Sequence, residues 1–335
     1  MVSVNVKYLE SRKISENRKK RLRGVFQMSL KPKTKYTPTE TFSVSKDGFF
    51  GMYFEPIENR FPGKGLVICS GSDGSFLLSR LGAERFYEAG IPVLALGYWN
   101  VKGTPQDVQD IPVEYMQRAC LWLKEKKGLH PAVWGISLGG EYALLCGSLF
   151  PEIECVIAAS PMHILCQAGS FKGGLHFAKG APFSLEGKPL PYISVTDQEA
   201  AHYLKQVKCA FIKKREADIK YYYDEVLRKP RDPETEIRVE QIRGPVLLIS
   251  GGADVMLPAD FVCRQVVERL KEKNFRYPVV HHNYEVLSHY ACPIRPMTSW
   301  IFQVERKHKE ECNKNRENSF QDTLRFLRDV WKVED

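Results

Sequence analysis

The sequence predicts an α/β fold built on a mostly parallel sheet with helices on both faces, and three observations predict it. Short apolar runs of strand length alternate with stretches whose apolar residues recur at helical spacing. Gly135-Ile136-Ser137-Leu138-Gly139 lies between the strand-like Pro131-Ala132-Val133-Trp134 and the helix-like Gly140-Glu141-Tyr142-Ala143-Leu144-Leu145. Near the start, Lys46-Asp47-Gly48 separates Thr41-Phe42-Ser43-Val44-Ser45 from Phe49-Phe50-Gly51-Met52-Tyr53-Phe54, a hairpin signal that supplies an antiparallel edge.

Each further element follows in chain order. Gly65-Leu66-Val67-Ile68-Cys69 reads as a buried strand leading into a loop of small residues, Ser70-Gly71-Ser72-Asp73-Gly74-Ser75. Leu78, Gly82, Phe86 and Ala89 mark one helix face, and Val113, Met116, Cys120 and Leu123 a second. Cys155 to Ala159 and Pro245-Val246-Leu247-Leu248-Ile249-Ser250 are the next two core strands. Between them a long insertion, Cys166 to Arg243, contains a helical stretch over Gln198 to Lys229 with Phe211, Tyr221-Tyr222-Tyr223 and Lys213-Lys214-Arg215. Val262, Val266 and Leu270 mark a third helix, Tyr277 to Tyr284 a strand, and Phe320, Leu324, Leu327 and Trp331 a last helix. One domain over 1–335 is expected, with an N-terminal arm and edge hairpin over 1–60 and a cap over 166–243. A solvated helical excursion is the plainer account of that insertion.

The G-x-S-x-G turn carries the chemistry. A serine on a sharp strand-to-helix turn is a nucleophile elbow, and flanking glycines are required because side chains there would collide. An ordinary glycine-rich turn would leave the same short pattern. Such a serine needs a base and an orienting acid, following in the order Ser, Asp, His. Asp254 lies in Gly251-Gly252-Ala253-Asp254, just past a strand, although a turn former or helix cap would sit there too. His289 lies in Leu287-Ser288-His289-Tyr290, the loop after the following strand. His281 and His282 compete with it; as strand neighbours they should face opposite ways, one buried and one exposed. His130, His163, His176, His202 and His308 lack a comparable setting. The candidate catalytic set is Ser137, Asp254 and His289. The oxyanion donors are expected from the Leu138 amide and from one of Ser72, Asp73 or Gly74.

These residues resemble the catalytic domain of the acyl-CoA thioesterase and bile acid-CoA:amino acid N-acyltransferase family, which has the α/β-hydrolase fold. Ser70 to Ser75 resembles the oxyanion loop of that family, and Ala95-Leu96-Gly97-Tyr98-Trp99-Asn100 its strand end. Ile111-Pro112-Val113-Glu114-Tyr115-Met116, with Ala119 and Trp122-Leu123, resembles the helix before the nucleophile strand. Gly135-Ile136-Ser137-Leu138-Gly139-Gly140-Glu141 is similar to its nucleophile motif. Gly244 to Gly251, and Ser288-His289 with Pro293 and Pro296, resemble the acid and histidine segments. The likeness spans Gly65 to Pro296. Departures are Ala253 where the family often has a second aspartate, Leu257 for tryptophan and Ser288 for glycine; they leave the three candidate catalytic residues in place. Fewer residues precede the first core strand than the N-terminal β-sandwich of larger members needs.

The resemblance implies a serine hydrolase acting on an acyl thioester through an acyl-enzyme. It also implies that an elbow serine goes with hydrolysis and a cysteine with acyl transfer. A carboxylic-ester or dienelactone-type hydrolase, an acyl-CoA:amino acid N-acyltransferase and a non-enzymatic ligand binder are the alternatives. Tyr98, Tyr221 and Tyr222 are candidate substrate-binding residues.

Composition bounds the rest. A chain of 335 residues with 43% hydrophobic content can bury a large core. No run approaches transmembrane length, and Ser11 to Arg23 is basic and polar, unlike a secretory signal. Nine cysteines without a C-x-x-C pair or metal-ligand cluster suggest reduced thiols and a cytoplasmic setting. The net charge of +9 fits a basic mouth for the phosphates of coenzyme A or a solvated surface; nucleic-acid binding by Arg18-Lys19-Lys20-Arg21 to Arg23 is a third reading, which no recognised nucleic-acid-binding fold supports. Neither Walker nor G-x-G-x-x-G patterns occur, so no nucleotide cofactor is expected; without a metal-ligand cluster no metal is expected. The expected partner is a small-molecule ester or thioester, not nucleic acid or membrane, and the oligomeric state stays open.

Overall fold

The computed structural model describes residues 34–332 except 75, 171–175, 214, 215 and 217; of 208–213 it describes the backbone alone. The basic run at 18–23, Ser75 and the side chains of Phe211, Lys213, Lys214 and Arg215 lie outside the described residues. Tyr36–Asp335 forms one compact unit.

Eight strands form the central sheet in the order β1-β2-β4-β3-β6-β7-β12-β13. They are β1 (Glu40–Phe42), β2 (Phe50–Phe54), β3 (Lys64–Cys69), β4 (Val93–Gly97), β6 (His130–Ile136), β7 (Cys155–Ala159), β12 (Val246–Gly251) and β13 (Val279–Tyr284). From β4 to β13 every neighbouring pair is parallel. β1 and β2 add an antiparallel edge. This is the α/β-hydrolase fold.

The two-residue period of the strands explains the layers. Val67, Leu94, Val133, Val156 and Leu248 face one side, where they meet α3 (Glu114–Lys127), α4 (Leu138–Leu149) and α7 (Ala259–Glu272). The intervening Leu66, Ile68, Val93, Trp134, Ile157 and Ile249 face the other, where they meet α2 (Phe76–Glu88) and α9 (Lys309–Trp331). Of the helix faces read from spacing, Met116, Cys120 and Leu123 on α3 and Phe320, Leu324, Leu327 and Trp331 on α9 are buried, while on the first face Gly82 and Phe86 are buried and Leu78 and Ala89 half-buried.

Three local expectations are corrected. The hairpin is present, but Val44–Asp47 forms a helical turn (α1) rather than extended chain. The Asp47 carboxylate accepts the Ser43 amide at 2.9 Å, and Gly48 closes the turn at φ 77°. The helix read over Gln198 to Lys229 is two, α5 (Asp197–Lys213) and α6 (Lys220–Arg228). His281 and His282 are both half-buried, because β13 is the edge strand and neither of its faces is fully covered.

The insertion after β7 contains short strands as well as helices. Short strands β8 (Gly169–Ser170) and β9 (His176–Phe177) pair with each other. β10 (Phe183–Leu185) pairs with β11 (Lys188–Pro189) and, in parallel, with β5 (Ile111–Pro112), the strand just before α3. The helices close over their own small core of Cys166, Tyr203, Val207, Ile219, Tyr222 and Val226.

Among the described residues eight cysteines are free and buried, no helix is long and apolar enough to cross a membrane, and no cluster of metal-ligating side chains occurs.

Candidate active site

The site lies where the strand order turns back on itself. β3 has its sequence successor β4 on one side and β6 on the other, so the loops leaving β3 and β6 flank a crevice at the carboxyl ends of the strands. Cys69 and Gly135 are paired neighbours there, which places the loop Ser70–Gly74 beside Ser137.

Backbone crowding explains the elbow. Ser137 holds φ 58° and ψ −124°, outside the regions a serine prefers. Its amide donates to Ala159 O at 2.8 Å. A Cβ on Gly135 would lie 1.9 Å from Gly139 O, and one on Gly139 would lie 2.3 Å from Ser70 O. Both glycines are therefore required by backbone atoms that cannot move aside. The Ser137 side chain does not cap α4, although it occupies the N-cap position. A Cβ on Gly71 would come within 3.0 Å of Ser137 Cβ, so the small-residue loop runs directly against the serine.

That loop is tied down by the strand end after β4. Tyr98 Oη donates to Ser70 O at 2.8 Å, Trp99 Nε1 to Gly71 O at 3.3 Å, and Asn100 Nδ2 to Gly74 O at 2.8 Å. From the other side, Ser70 N donates to Ser79 Oγ at 2.9 Å. The Tyr98-Trp99-Asn100 segment thus fixes the path of the loop carrying Ser72, Asp73 and Gly74. Tyr98 itself is 2% exposed and stacks on Tyr142 at 4.6 Å. It supports the loop from within the core. Leu138, at the start of α4, is buried, while Ser72 and Gly74 are half-buried and Asp73 exposed.

Asp254 and His289 meet as their strand-end positions suggest. His289 Nδ1 lies 2.8 Å from Asp254 Oδ2, with side-chain exposures of 5% and 1%. The other carboxylate oxygen, Oδ1, accepts the amides of Met256 at 2.8 Å and Leu257 at 3.0 Å. One residue is therefore both turn former and histidine partner; the two readings of Asp254 are satisfied by different oxygens. A Cβ on Gly251 would lie 2.3 Å from Ser288 O, so glycine there lets the acid strand close on the histidine loop.

Ser137 and His289 hang from adjacent residues. Ser137 N bonds to Ala159 O, and His289 O accepts from the buried Ser160 Oγ at 3.0 Å. Ser160 has φ 44°, and its amide donates to Ile249 O at 2.7 Å. Nothing local in the sequence singles out Ser160, whose role depends on contacts with segments far along the chain.

Two neighbours shape the surroundings. Glu141, one turn into α4, donates its amide to Ser137 O at 3.0 Å. Its carboxyl is buried, with Oε1 unpartnered among the described residues, and burial pushes its pKa well above the usual carboxylate range. The insertion grips the acid loop, since the amides of Ile219 and Lys220 both donate to Val255 O, at 2.9 and 2.8 Å. Of the two tyrosines expected at a substrate wall, Tyr221 is 55% exposed. Tyr222 is buried against Tyr203, Phe177 and Tyr223, with its hydroxyl on Gln167 O at 3.1 Å.

Residues 111–308, more than half of the chain, match the family model described as BAAT / Acyl-CoA thioester hydrolase C terminal. The chain belongs to this family. Human mitochondrial acyl-coenzyme A thioesterase 2 is 26% identical over 232 residues, covering 68% of this chain and 42% of that protein. Mouse peroxisomal succinyl-coenzyme A thioesterase is 22% identical over 245 residues, covering 72% and 52%. The chain spans about half the length of the curated relatives it matches. Among solved structures, puromycin hydrolase superposes with a TM-score of 0.51 at 15% identity, over 85% of this chain and 38% of that one. DcsB in complex with its substrate analogue superposes with a TM-score of 0.51 at 11% identity, over 90% of this chain and 100% of that one. At such identities the likeness speaks for the fold alone.

Proposed function

We propose that this family member is a serine hydrolase that cleaves an acyl thioester, an acyl-CoA, through an acyl-enzyme on Ser137. The observation that carries the reading is the buried His289–Asp254 pair at the carboxyl edge of the same parallel sheet as the strained elbow serine. Asp254 accepts from Nδ1–H, which leaves Nε2 as the nitrogen that takes the Ser137 proton. The Ser137 oxygen then adds to the thioester carbonyl. The resulting oxyanion is stabilised by the Leu138 amide and by one amide from Ser72, Asp73 or Gly74. The carbon–sulfur bond breaks, and His289 returns its proton to the departing thiolate. Water, deprotonated by the same nitrogen, cleaves the oxygen ester to release the acid.

Hydrolysis rather than transfer follows from the nucleophile. A serine acyl-enzyme is an oxygen ester, which is relatively less reactive toward amines than the thioester a cysteine would form. The insertion over 166–243 acts as a cap, and its hold on Val255 couples it to the acid loop.

The deciding experiment supplies acyl-CoAs of graded chain length, and p-nitrophenyl esters beside them, with and without glycine or taurine. Release of free CoA with free acid as product supports the reading. Turnover of the simple esters alone moves the assignment to an ester hydrolase, and N-acyl amino acid as the main product moves it to a transferase.

A further inference from the structure

The loop bearing His289 is held on both sides of the histidine by a buried charged pair. Glu305, on α8 (Gln303–Lys307), is 1% exposed, and Arg316, on α9, is 4% exposed. Arg316 Nη2 donates to Glu305 Oε1 in a short ion pair. Arg295 Nε stands 3.7 Å from the second oxygen, Oε2.

This pair reaches both residues that flank His289. Ser288 Oγ, fully buried, donates to Glu305 Oε1 at 2.7 Å. Arg316 Nε donates to Tyr290 O at 3.2 Å. Two further bonds, from Nη1 to Asn313 Oδ1 at 2.9 Å and to Cys312 O at 3.4 Å, lock the guanidinium to α9. The loop is thus fixed before and after His289, while Ser160 Oγ holds the carbonyl of His289 itself.

A buried ion pair is a poor source of net stability, because desolvation offsets its attraction. Its geometric constraint is the more specific consequence. A charge-assisted network in a low-dielectric interior has few alternative arrangements, so it fixes the loop more tightly than apolar packing would.

We propose that Glu305 and Arg316, acting through Ser288 and Tyr290, are positioning residues that hold the His289 imidazole against Asp254. This rests on the reading of His289 as the base. Neither residue touches substrate. Both act by setting where Nδ1 and Nε2 lie, and misplacement on the order of 1 Å is enough to cost about 100-fold in rate.

The test uses the full chain with Ser288→Ala, which removes the hydroxyl link and changes no charge, alongside Arg316→Met and Ser137→Ala. Three readouts are taken: kcat and KM on an acyl-CoA, the count of reactive sites by fluorophosphonate titration, and the far-downfield proton signal of His289 Nδ1–H. The expected result for Ser288→Ala is a folded protein with kcat lowered about 10- to 100-fold, KM within about threefold, and a broadened or lost imidazole proton. Wild-type kcat with an unchanged proton signal overturns the proposal, as does a lower melting temperature with kcat per folded molecule intact. If Arg316→Met fails to fold, Ser288→Ala decides. The proton signal needs no substrate, so a Ser137→Ala protein that still turns over would refute the catalytic reading while the positioning inference stands or falls on the resonance.

Discussion

Replacing Asp254 by Asn separates chemistry from stability because the structure dictates how the new amide must sit. Oδ1 accepts two backbone amides, from Met256 and Leu257. Only the amide oxygen of an asparagine can take that place, which turns its NH2 group toward His289. Nδ1 must then accept instead of donate, and the imidazole proton moves to Nε2, the nitrogen that has to receive the serine proton. The wrong tautomer in an unaltered geometry costs about 10⁴-fold in kcat in a comparable triad. At about 1.4 kcal/mol per decade this is about 5.5 kcal/mol of transition-state stabilisation. The loop amides stay satisfied, so the melting temperature should fall little. Asp254→Ala makes the contrast: it abandons both loop amides, each worth about 1–3 kcal/mol when buried without a partner, and should lose stability as well as activity. The assay is thioester turnover per folded molecule beside thermal melting for the two variants. An Asp254→Asn protein within about tenfold of wild-type kcat would refute the argument.

Three further outcomes are expected. Gly139→Ala should destabilise by at least about 3 kcal/mol, read as a lower melting temperature, because the added Cβ would stand 2.3 Å from Ser70 O and 2.9 Å from Cys69 O, both backbone atoms. His163 is buried, which lowers its pKa from 6.5 to about 4, with Arg231 and Arg269 adding to the fall and Glu236 opposing it. The unfolded chain therefore binds a proton that the fold excludes, so stability should fall as pH drops from about 6.5 to about 4, by up to about 1.4 kcal/mol per unit, and His163→Gln should flatten that limb in urea titrations. Tyr222→Ala should loosen the insertion and change acyl-chain preference, whereas Tyr221→Ala, at an exposed position, should stay within about 0.5 kcal/mol in stability; kinetics across chain lengths reads the difference.

Features encoded by local pattern could be read from the chain. The buried strands are continuous apolar runs, and the elbow glycines bracket their serine within five residues. Asp254 and His289 each follow a strand, so their order along the chain anticipates the contact between them. Features set by distant contacts could not. Edge position decides the burial of His281 and His282, and strand order is not written in either residue. The helical turn at Val44–Asp47 depends on one carboxylate accepting a backbone amide. The hydroxyl of Tyr98 is used 28 residues away, on Ser70, and nothing beside Tyr98 in the sequence marks that partner. Ser160, Glu305 and Arg316 are invisible for the same reason. Each acts on the histidine loop from a different element, with no local spacing to mark it.

The most direct test of the central claim is intact-protein mass spectrometry of rapidly quenched mixtures with an acyl-CoA, run on the wild type and on Ser137→Ala. The account expects a transient mass gain of one acyl group, mapped to the peptide containing Ser137, and in the variant neither the adduct nor more than a residual trace of turnover. Wild-type turnover by Ser137→Ala, or an acyl group mapped to any other residue, would contradict it.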